Sequence, residues 1–322
     1  MLSLLVALLL LAVGAALLTA GAEGFAENVT AASSRLGVSV LALALLLAGA
    51  EPEEAVTAML ASGQGHPALA AGDAIGANLV ILTLTLGLAA VVTRLPVTRR
   101  SVEYGVAAAV LGAVAYLLML NGVLGRLEGA VLVSLYVAGV VWVWRRERTP
   151  PLIGEMAELE EKDRLHPVGG AGDEATGRAL LMVLLGLLGM VVGGFLAVRG
   201  AEGLVDVLGL TESVVGLTVL ALATSAEMVA LVWAARRRGL TEVVVAGTVG
   251  AVAYNATVSL GLAALVSPLG LGRHNLVVST AAVTAVLPLV LLLGLRSGHL
   301  PKPVGVLLLV VYVGAVAFLF AR

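Results

Sequence analysis

Long apolar runs dominate this chain, and one of them carries three acids in its middle. Val38 to Ala50 and Ala55 to Ala61 are largely apolar, and Glu51-Pro52-Glu53-Glu54 lies between them. A helix needs about 20 apolar residues to cross the hydrocarbon core of a bilayer. The thirteen before the acids are too few, so the span has to continue through them and hold them near mid-depth. An ionised acid there costs roughly 2.5–3.5 kcal/mol by insertion scales. Such groups must hold a proton, a cation or a fixed positive partner, and no Lys or Arg lies within the span. Gly49 and Pro52 flank Glu51, and proline removes a backbone donor and breaks the helix ladder. A broken helix with free carbonyls beside acids is how many transporters build an ion site. The competing reading ends the helix at Gly49 and leaves the acids in a loop facing water.

Of the 322 residues, 60% are hydrophobic and 12% charged, and the mean hydropathy is +1.07. This composition predicts an all-α polytopic membrane protein; the short alternating segments of a transmembrane barrel are not seen. The absence of cysteine excludes disulfides, thiolate metal sites and thiol catalysis. Nothing resembles a nucleic-acid-binding patch. The first residues, MLSLLVALLLLAVGAALL, lack a basic leader and read as a retained span.

About ten spans follow from the breaks. They lie near Leu2–Ala22, Gly37–Ser62, Ala68–Val92, Val102–Leu120 and Leu127–Trp144, then Ala179–Val198, Val207–Ala235, Val243–Val266, Leu276–Leu295 and Val304–Phe320. The chain therefore divides into a first five-helix repeat (1–144), a polar linker (145–178) and a second five-helix repeat (179–322). Fifteen of the nineteen Lys and Arg fall in the linker and the other loops that follow odd-numbered spans. The positive-inside rule then puts both termini outside and the linker in the cytoplasm, in what is expected to be a prokaryotic inner membrane.

The halves repeat each other. Gly21-Ala22-Glu23-Gly24 recurs as Gly200-Ala201-Glu202-Gly203, and the run from Leu86 to Val92 recurs from Leu260 to Val266. Gly129 precedes Tyr136-Val137 as Gly305 precedes Tyr312-Val313. The order is kept at offsets of 179, 174 and 176. Because five is odd, the second copy must enter the membrane from the opposite side, and inverted repeats place their site at the repeat interface near midplane.

A counterpart to Glu54 should then lie about 175 residues on, and Glu227 does, at offset 173, deep in an apolar run. Thr224 and Ser225 add hydroxyls beside it. A hard cation such as calcium takes 6–8 oxygens from carboxylates, hydroxyls, carbonyls and water. Asn78 and Asn255, in the third and eighth spans, could add two more donors or could bond helix to helix. Thr224 and Ser225 could likewise bond back to their own helix. Asp73 is shallower and could simply face water. All four histidines, His66, His166, His274 and His299, sit in loops or at span ends, which gives a histidine metal site little support.

These residues resemble the calcium/cation antiporter superfamily, specifically the membrane region of sodium/calcium exchangers. Each half of that family carries a Gly-Thr-Ser-x-Pro-Glu stretch followed by a Gly-Asn-x-x-Gly-Ser-Asn stretch. Gly49 and Glu54 match the ends of the first; Ala50 and Glu51 replace its hydroxyls, and Pro52 sits one place early. Gly72, Gly76 and Asn78 match the second, and Thr224, Ser225 and Glu227 match in the later half, which lacks the proline. Ile81 and Ala77 are apolar where the family has oxygens. The resemblance implies a calcium exporter driven by sodium or proton influx, with Glu54 and Glu227 as shared ligands. The lost oxygens disfavour sodium, and Glu51 and Glu53 add protonatable groups, so both driving ions stay open. No cofactor is expected: Ca2+, Na+ or H+ are cargo, and the partners are the lipid bilayer and small inorganic cations, with no protein partner indicated. A membrane hydrolase would want a mid-span Arg or a His-rich metal site, and neither is present. A degenerate, non-transporting relative stays as the remaining alternative.

Overall fold

A computed structural model describes residues 3–36, 51–147, 173–238 and 241–322. Helix α1 spans Leu4–Leu36, α2 Pro52–Gly63, α3 Pro67–Val92, α4 Arg99–Met119 and α5 Arg126–Glu147. The second half holds α6 (Asp173–Leu208), α7 (Glu212–Thr224) and α8 (Ala226–Arg238). Next, α9 starts at Thr241–Tyr254 and ends with Leu260–Val266, followed by α10 (Leu276–Gly294) and α11 (Lys302–Phe320). Among the described residues, eight helices are long and apolar enough to cross a membrane, and Glu212–Thr224 is a shorter apolar helix. Of the ten expected spans, the second and seventh are missing from the eight. The first half of the second, including Gly49, lies outside the described residues, and the seventh is broken at Ser225. The core of the linker, 148–172, also lies outside them.

Peripheral faces carry large exposed apolar side chains, among them Leu5, Leu127 and Val313, whereas Glu53, Glu54 and Asp73 are inside. That distribution is the reverse of a water-soluble protein's and suits a protein solvated by lipid. The sixth span differs from expectation: α6 runs through Gly200-Ala201-Glu202-Gly203 to Leu208 instead of ending near Val198. Close packing on α1 keeps it helical. A Cβ at Gly200 would meet the Leu11 backbone nitrogen at 2.6 Å, and one at Gly14 would meet that of Ala197 at 2.5 Å.

Backbone pairing between loops establishes the inversion. The segment after α3 bonds to the one after α10, with Val97 N donating to Gly298 O (3.0 Å) and Leu300 N to Leu95 O (2.9 Å). The segment after α9 bonds instead to the one after α4, as strands β1 (Val123–Leu124) and β2 (Leu269–Gly270), antiparallel, with Leu124 opposite Leu269. The ends of α3 and α9 are equivalent in the repeat, yet each lies beside the other half's opposite turn. Successive loops alternate faces, so equivalent loops lie on opposite faces of the membrane.

The same exchange holds the helices. The end of α3 packs on α11, and the end of α9 packs on α5. A Cβ at Gly87 would come within 3.0 Å of Gly305 O, and one at Gly261 within 2.8 Å of Gly129 O. Small residues at these crossings let backbones touch, which is how helices associate without a hydrophobic drive between them.

Both α3 and α9 contain a π-turn at matching places, Val80–Thr85 and Asn255–Ser259, and α7 has one at Gly216–Leu220. Each holds a threonine that donates to the carbonyl four residues back: Thr83 to Leu79 (2.5 Å), Thr257 to Ala253 (2.5 Å) and Thr218 to Val214 (2.6 Å). Wide turns disturb the helix ladder and are frequent at functional sites, and here a hydroxyl serves the carbonyl beside each.

Candidate cation site

Pro52 stands at the first position of α2, where its missing N–H costs nothing, and Glu51 is the residue before it (φ −109°, ψ 80°). The proline therefore opens a helix within the membrane, and does not kink a continuous one. Glu53 and Glu54 fall in its first turn. Glu51, Glu53 and Glu54 are all buried, which removes the reading in which they face water from a loop.

Opposite them, α7 ends at Thr224, and Ser225 (φ −85°, ψ 11°) separates it from α8. Ser225 Oγ donates to Glu54 Oε1 at 2.7 Å. Asn255 Nδ2 lies 3.5 Å from Glu51 Oε2, and its Oδ1 accepts from Ser259 Oγ at 3.1 Å. The π-turn beginning at Asn255 thus faces the start of α2.

Asp73 was read as shallower and able to face water. It is fully buried instead, and Thr224 Oγ1 donates to its Oδ1 at 3.1 Å. The cause is the pair of glycines beside it. A Cβ at Gly72 would sit 3.1 Å from Gly216 Cα, and one at Gly76 would sit 2.7 Å from Leu217 Cα. With no side chains there, α7 closes down on α3 and seals Asp73 between them. The Gly-x-x-x-Gly spacing was the signal in the sequence that could have found it.

Glu227 is less enclosed than Asp73. It is half-buried, in the first turn of the new helix α8, although close enough to Glu51 for the two charges to interact. The hydroxyl of Ser225 meets Glu54. Asn78 bonds helix to helix, its Nδ2 donating to Val252 O at 3.2 Å.

Four buried oxygens on these residues have no hydrogen-bond partner among the described residues: Glu51 Oε1, Glu54 Oε2, Asp73 Oδ2 and Asn78 Oδ1. Buried acceptors are nearly always satisfied in native proteins. No Lys or Arg occurs between Arg35 and Arg94, or between Arg238 and Arg273. A group of buried carboxylate, hydroxyl and amide oxygens without a basic side chain has the chemistry of a hard-cation site.

Inverted halves, broken helices and buried acids where they meet define a membrane transporter of the inverted-repeat class. More narrowly, the chain belongs to the sodium/calcium exchanger protein family, whose model matches residues 1–145 and 178–321. It is 25% identical to a protein of Alkalimonas amylolytica provisionally named antiporter CaxA, over 99% of this chain and 100% of that one. It is 29% identical to the inner membrane protein YrbG of Escherichia coli, over 82% of this chain and 81% of that one. Its fold matches the sodium-calcium exchanger NCX_Mj, soaked with Na+ and Sr2+, with a TM-score of 0.63 and 21% identity, over 98% and 99% of the two chains. The family's members are ion exchangers and not enzymes.

Proposed function

We propose that this protein is a secondary active antiporter that exports Ca2+ in exchange for Na+ or H+. Glu51, Glu54 and Asp73 supply the negative charge of its cation site, and Ser225, Thr224 and Asn255 supply polar groups from the other half. The observation that carries this reading is the set of buried, unpartnered carboxylate oxygens in spans that contain no basic residue. Carboxylates in a dry interior must be compensated. A divalent ion, or several monovalent ions or protons, would compensate them, but not both at once. Occupancy would permit the halves to rearrange, and an empty charged site would resist doing so; exchange follows from that difference. The names of the relatives, an antiporter and a sodium-calcium exchanger, support the same direction.

Proton coupling is the second reading, favoured by a specific observation. Ile81 and Ala77 are buried and apolar where sodium would want oxygens, while three acids crowd the remaining space. By the distribution of Lys and Arg, we place the protein with both termini outside and the 145–178 linker in the cytoplasm of a prokaryotic cell.

Purified protein in sealed vesicles tests the function. Calcium-45 uptake should rise when an outward sodium or proton gradient is imposed, and should vanish in Glu54→Gln. Uptake indifferent to both gradients would refute coupling, and no uptake by folded wild-type protein would support the degenerate reading.

A further inference from the structure

His66 was set aside in the sequence as a loop residue, but the fold gives it a definite place. It precedes Pro67 at the start of α3 (φ −108°, ψ 67°). Its Nε2 contacts Glu202 Oε1 of α6, and its Nδ1 lies 2.8 Å from Glu212 Oε1 of α7. One imidazole from the first half therefore stands between two carboxylates of the second. The other oxygen of Glu202 is held by Arg199 Nη1 at 3.0 Å. His66, Leu69, Glu202, Val205, Asp206 and Glu212 line a cavity of about 280 Å³. The charged groups facing the ring are thus Glu202, Asp206 and, through Glu202, Arg199 on α6, with Glu212 on α7.

A neutral imidazole has one N–H and one lone pair, whereas the imidazolium has two N–H donors. Only the imidazolium can donate to Glu202 and Glu212 together. The neutral ring must turn a lone pair toward one of two anionic oxygens. The contact therefore has two states that differ by one proton.

We infer that His66 is a proton-dependent latch that ties the turn before α3 to the ends of α6 and α7. When protonated it holds the two halves together over the cavity; when it loses the proton, one carboxylate is released and the mouth loosens. Seven residues separate His66 from Asp73, about 10 Å along a helix, so the latch lies two turns from the acids. It shares its face of the membrane with β1 and β2. Ser213, next to Glu212, donates to Asn275 Oδ1 (2.9 Å), and Asn275 follows β2. The charge distribution makes that the outer face, so the latch reads external pH.

The function of this latch rests on the transport reading, but its existence can be tested without transport. The chain has no cysteine, so Val205→Cys places a single thiol on the cavity wall. A membrane-impermeant maleimide is added outside, and the labelling rate is divided by that in a His66→Gln background, which cancels the thiol's own pH dependence. The ratio should be about one fifth or less at pH 5.5 and should rise to near one at pH 8.5. Glu212→Gln should act in the opposite sense. Its amide can donate to the imidazole lone pair, so the neutral ring is satisfied and labelling should stay slow at pH 8.5. A ratio that does not change with pH, or a Glu212→Gln protein that opens as wild type does, overturns the latch. Flux through Glu54→Gln, measured separately, decides the transport reading, so the two ideas can fail independently.

Discussion

The two halves of this molecule share a backbone but not a chemistry. In both, a long helix carries a π-turn at the same place, a glycine crossing locks its end, and the following loop pairs with the other half. At the site the likeness stops. The first half supplies three fully or almost fully buried acids that bond across to the second, Glu51, Glu54 and Asp73, and the second answers with Ser225, Thr224 and Asn255. A symmetric scaffold does not need a symmetric site. One half can carry most of the acceptors and the other the donors.

This contrast can be broken by substitution, beginning with its strongest member. Glu54→Gln should weaken calcium binding about 100-fold or more, the effect of removing a buried charged partner (about 3 kcal/mol). Equilibrium calcium-45 binding to purified protein reads this directly. Asp73→Asn should follow with a loss of about tenfold, in line with a charge-assisted contact, seen as a raised KM for calcium in vesicle flux. Ser225→Ala removes a hydroxyl donor and should cost about threefold in the same binding assay. Glu227→Gln should change affinity less than Glu54→Gln does, since its carboxylate is only partly buried. If Glu227→Gln matched Glu54→Gln, the sites of the two halves would be alike after all.

The shared backbone makes its own prediction. Gly87→Ala and Gly129→Ala stand at equivalent crossings and should each lower stability by about 1–3 kcal/mol through overpacking. Thermal unfolding in detergent would show similar shifts. A loss at one glycine alone would mean that the halves are less alike than the pairing of their loops indicates.

Much of this was readable from the chain because lipid is a strict solvent. The length of the apolar runs fixed the helical class, and acids inside such a run had to be compensated. What was misread came from contacts that a one-dimensional count does not contain. Glu227 was paired with Glu54 by its offset in the repeat, but an offset could not show that Ser225, at the break between α7 and α8, bonds to Glu54 directly. Asp73 was judged by its distance from the start of its span, whereas two neighbouring glycines let another helix cover it. His66 had no visible partner because Glu202 and Glu212 lie more than a hundred residues away, on a helix expected to end before them and on the one that follows.

A crystal soaked in Sr2+ gives the most direct test of the unequal halves, because the anomalous signal locates a calcium-like ion without reference to flux. The peak is expected within bonding distance of Glu54, with Glu51 or Asp73 completing its charge and Ser225 or Asn255 at its edge. A peak held by Glu227, with Glu54 and Asp73 outside its coordination shell, would contradict the account.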